Sequence, residues 1–207
     1  MPRITKDPDA RKEELIDSAE RLFCELGFEQ TTVSEIVKKT GVAQGTFYYY
    51  FKAKEDILDA VVSRAIDAMA SKVIAEYQRD AVTAPQKLQI MLCTVLGSIN
   101  YMEKLLIGQM YQHKYFHLLD LMDKRFKQAF APLLLEVIAQ GQEENTMRVT
   151  YPEETVTILL HSIDALFDTL FLRESPEVSH RKANIVQEMI ENLLNMDQGV
   201  LRLGECI

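Results

Sequence analysis

No stretch of about 18 uninterrupted apolar residues occurs anywhere in the chain, so no segment suits a helical membrane crossing. The opening Met1-Pro2-Arg3-Ile4-Thr5-Lys6-Asp7 also lacks the apolar core of a secretory signal, and the expected compartment is the cytoplasm. Cysteine is scarce. Cys24, Cys93 and Cys206 are three, widely separated and without a CxxC pair, which excludes the usual zinc and redox motifs. They are expected as reduced thiols, with Cys24 and Cys93 as small core residues. No ordered Ser/His/Asp set, paired-carboxylate motif or phosphate-binding glycine loop is present, so no enzyme activity and no cofactor are expected. A positive balance is missing too: 23 Lys and Arg face 31 Asp and Glu, a net charge of −8 that taken alone disfavours a polyanionic partner. Sustained period-two alternation is absent, which leaves an all-α fold, and neither repeats nor low-complexity tracts interrupt it.

What is present is ordinary globular composition, 47% hydrophobic and 26% charged, in 207 residues. That length suits a small domain joined to a larger one. Apolar residues at Leu15, Ile16, Ala19, Leu22, Phe23 and Leu26 follow one face of a first helix, which Gly27 stops. Thr32 opens a second helix with Glu35 three residues on, the spacing of a capping box, and Val33, Ile36 and Val37 as its buried side. After Gly41 a short third helix is expected from about Gln44 to Tyr50. Lys54 begins a long fourth helix with Ile57, Leu58, Val61, Val62, Ala65, Ile66, Met69 and Val73 along one side. Thr83-Ala84-Pro85 precedes a fifth, and further helices are expected from about Leu118 to Glu143 with Pro132 as a kink, from Pro152 to Leu172, and from about His180 to Met196.

The second and third helices with the tight turn at Gly41 satisfy the geometry of a helix-turn-helix, whose second helix enters the major groove while the first braces it. Phe47 and Phe51, four apart, face inward together and leave Gln44, Gly45, Tyr48 and Tyr49 outside. Gln44 can bond a base edge in two places, Gly45 lets backbone approach the groove, and Tyr48 offers a hydroxyl to phosphate and a ring to sugar or a thymine methyl. Thr32, Ser34, Thr46, Lys52 and Lys54 complete the expected DNA-binding set, with Thr46 and Lys54 on phosphates. Free N–H groups at the starts of the second and fourth helices serve the same purpose. The charge agrees locally, because Lys38, Lys39, Lys52 and Lys54 are the only charged residues from 38 to 54. Ala43, where a serine, threonine or aspartate would cap better, leaves the third helix held mainly by packing.

The run Thr31-Thr32-Val33-Ser34-Glu35-Ile36, continued by Gly41-Val42-Ala43-Gln44-Gly45-Thr46-Phe47-Tyr48-Tyr49-Tyr50-Phe51-Lys52-Ala53-Lys54-Glu55, resembles the tetracycline-repressor (TetR) family of regulators. The first helix, ending Leu22-Phe23-Cys24-Glu25-Leu26-Gly27-Phe28, is similar as well. Ser34 stands where several members carry a longer basic residue, and Ala53 where a capping serine is frequent. The resemblance implies a three-helix DNA-binding domain over residues 1–55, a linking fourth helix, and a helical effector-binding and dimerisation domain over 56–207. It also implies a homodimer on a palindromic double-stranded operator, usually as a repressor released by a small-molecule effector.

Candidate effector-pocket residues are Tyr101, Met102, Met110, Tyr111, Phe126, Phe130, His161, Asp164, Phe167 and Phe171, which mix apolar bulk with a few polar groups. His113 with His117 and His161 with Asp164 have spacings that can converge on a metal from one helix face, but nothing brings the pairs together and no metal is assigned. The last two helices carry apolar stripes broad enough for both core and partner, and the resemblance implies a two-fold four-helix interface there, with Val156, Leu160, Ile163, Phe167, Ile185, Met189, Ile190 and Leu193 as its candidates. Two rival classes stay open: an enzyme using the larger domain, and a helical adaptor binding protein alone. An activator of the same fold is a further alternative.

Overall fold

A computed structural model of the protein describes residues 7–77, 82–98, 101, 116–171 and 175–206; the side chains of 116–119 and 164–171 lie outside that description. Among the described residues there are α-helices and no strand: α1 (Pro8–Leu26), α2 (Val33–Thr40), α3 (Gln44–Tyr50), α4 (Lys54–Tyr77), α5 (Ala84–Gly97), α6 (Phe116–Glu143), α7 (Pro152–Phe171) and α8 (Pro176–Leu193), then a 3-10 turn at Leu203–Glu205.

Local chemistry explains where these helices begin and end. Asp7 caps α1 by accepting from the Asp9 N–H, and Pro8 fills the first turn, where a missing donor costs nothing. Gly27 ends it at φ +86°, a conformation that an L side chain resists. α8 begins at Pro176, earlier than its apolar period suggests, because Ser175 supplies the cap and proline tolerates the first turn. Glu144 Oε2 accepts the Ala84 N–H at 2.9 Å at the start of α5. That bond, with a second from Gln140, holds the Glu144 carboxyl below its ordinary range. α6 runs on through Pro132.

Two compact units divide inside α4, one taking the chain up to Ala65 with the segment from Tyr101 to Asp123, the other running from Ile66 and from Lys124 onward. The break thus falls after Ala65, whereas the sequence suggests the start of α4. In the first unit, Ile57, Leu58, Val61 and Val62 of α4 are buried, as are Leu15, Ile16, Ala19, Leu22 and Phe23 of α1. Each such side chain contributes roughly 1.5–3 kcal/mol when fully buried. Arg64 fastens α4 to α1, reaching Asp17 at 2.7 Å, Glu13 at 3.1 Å, and Glu20. Burial opposes its charge, but the hydrogen bonds to Asp17 and Glu20 outweigh that and hold the guanidinium protonated.

In the second unit α7 packs on α8, and the core includes Leu88, Met91, Leu92 and Val95 of α5, Phe130, Leu134, Val137 and Ile138 of α6, and Val186 and Ile190 of α8. The C-terminal 3-10 turn packs on both α5 and α8. It brings Cys206 to Cys93, and the two form a disulfide across a sequence separation of 113. This corrects the expectation of three thiols: motif spacing detects neighbouring cysteines, whereas this pair is made by the tail folding back. Cys24 is not part of a disulfide.

Candidate nucleic-acid interface

The interface starts from the cap of α2. Thr32 Oγ1 accepts the Glu35 N–H at 3.2 Å, and Glu35 Oε2 accepts the Thr32 N–H at 2.8 Å and the Thr32 hydroxyl at 2.8 Å. The two residues therefore satisfy the orphan donors at this helix end reciprocally. Hydrogen bonds from the Thr32 side chain and backbone lower the Glu35 pKa from the ordinary 4.5. A carboxyl shifted downward stabilises the fold above its unfolded pKa and loses that contribution as pH falls through the folded one. Acid titration followed by amide exchange is thus expected to release the Thr32 and Glu35 amides as pH falls past the ordinary carboxyl range, and Glu35→Gln should remove this pH response.

At the other end of α2, Gly41 adopts φ 75° and ψ 34°, its N–H reaching Lys38 O and Val37 O, while the Val42 N–H donates to Val37 O at 3.0 Å. A side chain in this left-handed conformation would cost about 1–2 kcal/mol. The turn delivers α3 with Phe47 and Phe51 buried and their ring centroids 5.6 Å apart. The sequence therefore has Gln44, Gly45, Tyr48 and Tyr49 on the outer side, and all four are exposed, Tyr48 at 52% and Tyr49 at 78%. A Cβ added at Gly45 would meet nothing of the chain within 4 Å. Internal packing does not require glycine there. As expected, no side chain caps α3 at Ala43.

Ser34 and Lys52 are exposed beside this face and Thr46 is half-buried. Lys54 is not placed for phosphate. Its Nζ donates to Phe28 O at 2.6 Å, Thr31 O at 2.8 Å and Glu29 O at 3.3 Å, and it sits 4.2 Å from the Phe28 ring centroid. An ammonium has three hydrogens, and the three carbonyls of the α1–α2 loop account for them. At the start of α4, Asp56 Oδ2 accepts the Lys52 N–H at 2.7 Å and the Ala53 N–H at 3.2 Å, the reach-back half of a capping box, as Glu35 does for Thr32. Lys39 pairs with Glu25 at 3.1 Å. Of the four lysines between 38 and 54, Lys38 and Lys52 are the ones left exposed without such a partner. Asp56 escaped the sequence reading, although its position three residues after Ala53 repeats the Thr32–Glu35 spacing.

Of the expected effector-pocket residues, the structure describes Tyr101, Phe126, Phe130 and His161. Met102, Met110, Tyr111 and His113 lie outside the described residues, as do the side chains of His117, Asp164, Phe167 and Phe171. The Tyr101 hydroxyl donates to Glu20, tying its segment to α1. Burial, and then that bond, push its pKa upward. Phe126 and Phe130 lie with centroids 4.5 Å apart, Phe130 wholly buried. His161 has Nδ1 2.7 Å from Thr157 O and Nε2 3.3 Å from Lys127 Nζ, an arrangement that engages both ring nitrogens and sets a cation where a metal would sit. Val156, Leu160, Ile163 and Ile190, expected at a subunit interface, are buried within their own chain at 3% exposure or less. They are core residues here, because each helix turns that edge of its broad stripe inward. Ile158, Ile185 and Met189 of α7 and α8 are exposed, and Leu193 is half-buried.

Against known proteins, the family model described as bacterial regulatory proteins, tetR family, matches residues 15–61, which cover α2, α3 and the turn at Gly41. Residues 15–61 thus carry a helix-turn-helix of the tetR-family type. The relatives that the chain matches bear the names of regulators and repressors. The fatty acid metabolism regulator protein of Bacillus subtilis is 37% identical over 79 residues, 38% of this chain and 40% of that protein. The transcriptional repressor KstR2 of Mycolicibacterium smegmatis is 26% identical over 182 residues, 87% of this chain and 82% of the repressor. The TetR-like fold extends beyond the reading head. The structure of the regulator FadR from Bacillus subtilis in complex with stearoyl-CoA superposes with a TM-score of 0.63 at 22% identity, over 88% of this chain and 97% of that one.

Proposed function

We propose that this TetR-family protein is a cytoplasmic homodimeric repressor that reads a palindromic operator with α3 and is released by a small-molecule effector. One observation carries the reading: α3 keeps Phe47 and Phe51 inside and leaves Gln44, Gly45, Tyr48 and Tyr49 exposed together on its outer face. Gln44 is the base reader, since its amide can donate and accept at an adenine edge. Gly45 admits the groove wall, and Tyr48 and Tyr49 set their rings against sugar or a thymine methyl. Thr32, Ser34, Thr46 and Lys52 flank them as backbone contacts, which fix register and carry no sequence information.

A single short helix on an acidic chain binds weakly, so operator affinity needs two copies. The exposed Ile158, Ile185 and Met189 support pairing through α7 and α8, which would set two recognition helices about 34 Å, or a multiple, apart. The larger helical part binds the effector, with Phe126 as a candidate wall. The effector's chemistry does not pass from the Bacillus regulator, because the matched residues are 38% of this chain. Release follows if the effector binds unequally to the conformations that do and do not fit the operator.

Selection of bound fragments from random DNA tests the reading. Wild type should recover a two-fold site. Gln44→Ala should lose preference at one symmetric base position, a discrimination of about 1–3 kcal/mol, and Tyr48→Ala should weaken recovery of the same site. An unchanged profile for Gln44→Ala would refute its role.

A further inference from the structure

The last residues of the chain turn back onto the second unit, and side chains reaching for backbone hold them there. The buried Glu191 carboxylate accepts the Gly199 N–H at 3.0 Å and the Leu201 N–H at 2.8 Å. Gln187 Oε1 accepts the Leu203 N–H at 3.1 Å, and Gln89 Oε1 accepts the Arg202 N–H at 2.8 Å. Leu201 and Leu203 are fully buried. This clasp is independent of sulfur, and it seats Cys206 against Cys93 of α5, where the two are joined. Both cysteines are half-buried, within reach of small thiols. The Gln89 amide nitrogen lies 3.1 Å from Cys93 Sγ, 3.3 Å from Cys206 Sγ and 3.2 Å from Arg202 O, so its two hydrogens are shared among the two sulfurs and that carbonyl.

These features bear on chemistry as well as on packing. A tail docked without the disulfide keeps the two thiols adjacent when reduced, so closure is intramolecular and fast. An N–H aimed at sulfur favours the thiolate, which is both the attacking and the leaving species of thiol–disulfide exchange. A protein that works on DNA in a reducing cytoplasm, the reading on which this step rests, does not keep a passive disulfide; such bonds there are transient and redox-sensing.

We propose that Cys93 and Cys206 are a reversible oxidation site, a latch that low-molecular-weight disulfides close and thiols open. One protein thiolate attacks the small disulfide RSSR, forming a mixed disulfide and expelling RS⁻. The second protein thiolate attacks the protein sulfur of that mixed disulfide, forming the Cys93–Cys206 bond and expelling a second RS⁻. The two protons given up by the protein thiols end on the two RS⁻, so the dithiol and RSSR become the disulfide and two RSH. Gln89 is a positioning residue for both steps. When closed, the latch makes α5 and the tail that packs on α8 one covalent piece.

The test equilibrates the folded full-length protein with glutathione at graded ratios of oxidised to reduced form, then quenches in acid, alkylates and weighs the cysteine peptides. The expected result is a pair that passes from two alkylated thiols to a disulfide and back as the ratio is reversed, with the circular dichroism of a folded protein throughout. Gln89→Met should close roughly fivefold more slowly at the same ratio, since it removes the N–H contacts to the sulfurs together with the Oε1 contact to the Arg202 N–H. Two free thiols at every ratio, or a bond that reduced glutathione opens only after urea unfolds the protein, would overturn the proposal. Operator binding measured on both forms separates the two readings. A pair that never cycles, in a protein that binds its operator, defeats the latch alone, whereas a pair that cycles in a protein that binds no DNA supports the latch and defeats the repressor.

Discussion

Lys54→Met lowers the thermal midpoint of this protein by roughly 4–12 °C, because loss of the ammonium strips three loop carbonyls of a shared donor at a cost of about 2–3 kcal/mol, and each kcal/mol shifts a chain of this size by about 2–4 °C. The carbonyls belong to Phe28, Glu29 and Thr31, between α1 and α2, and the lysine stands at the first turn of α4. One cation therefore holds the entry to the reading helices and the start of the linking helix in register. Operator affinity should fall with the loosened geometry, while the slope of log affinity against log salt stays as in wild type. The rival assignment, a phosphate contact, makes the opposite pair of predictions: an unchanged midpoint and a salt slope reduced by about one. Calorimetry and a salt titration of one variant decide between them.

The helix-turn-helix was legible because its determinants are local. Thr32 with Glu35, Gly41, and Phe47 with Phe51 are each fixed by a spacing of four residues or fewer, or by a single residue's backbone freedom. The three-carbonyl grip of Lys54 is hidden in the sequence for the opposite reason. Its partners lie 23 to 26 residues away, and nothing in the local pattern distinguishes a lysine that grips DNA from one that grips its own loop. The Cys93–Cys206 bond, across 113 residues, is further still from any spacing rule. For α7 and α8 the period identified the apolar stripes but not which edge of each the chain covers itself. A stripe wider than a single contact face has two edges, and sequence alone does not rank them.

That distinction sets the second large effect. Ile185 is 64% exposed in its own chain, so Ile185→Glu should leave the folded monomer within about 0.5 kcal/mol of wild type. On the proposed interface the same carboxylate would be buried without a partner, and the dimer should dissociate. With only one recognition helix engaged at a time, operator affinity should drop by roughly 10²-fold or more. Sedimentation and a binding titration at the same protein concentration measure both consequences. A variant that stays dimeric and binds as wild type would move the interface off α8. Ile190→Glu is the wrong probe, since Ile190 is fully buried and its replacement would unfold the chain whether or not it dimerises.

The division of the chain inside α4 bears on how such a regulator can be rebuilt by recombination. A crossover at residue 55, where the recognised motif ends, would separate Phe51 and Phe47 from a parent that also supplied Ile57, Leu58 and Val61, and would set a foreign residue against Glu13, Asp17 and Glu20 in place of Arg64. Moving the junction past Ala65 keeps those contacts but still leaves behind Tyr101, whose hydroxyl returns to Glu20. The reading head is thus a discontinuous cassette. Exchanging one unit between relatives takes three splice points, at 65/66, 100/101 and 123/124, or a single one followed by repair of the α1 surface.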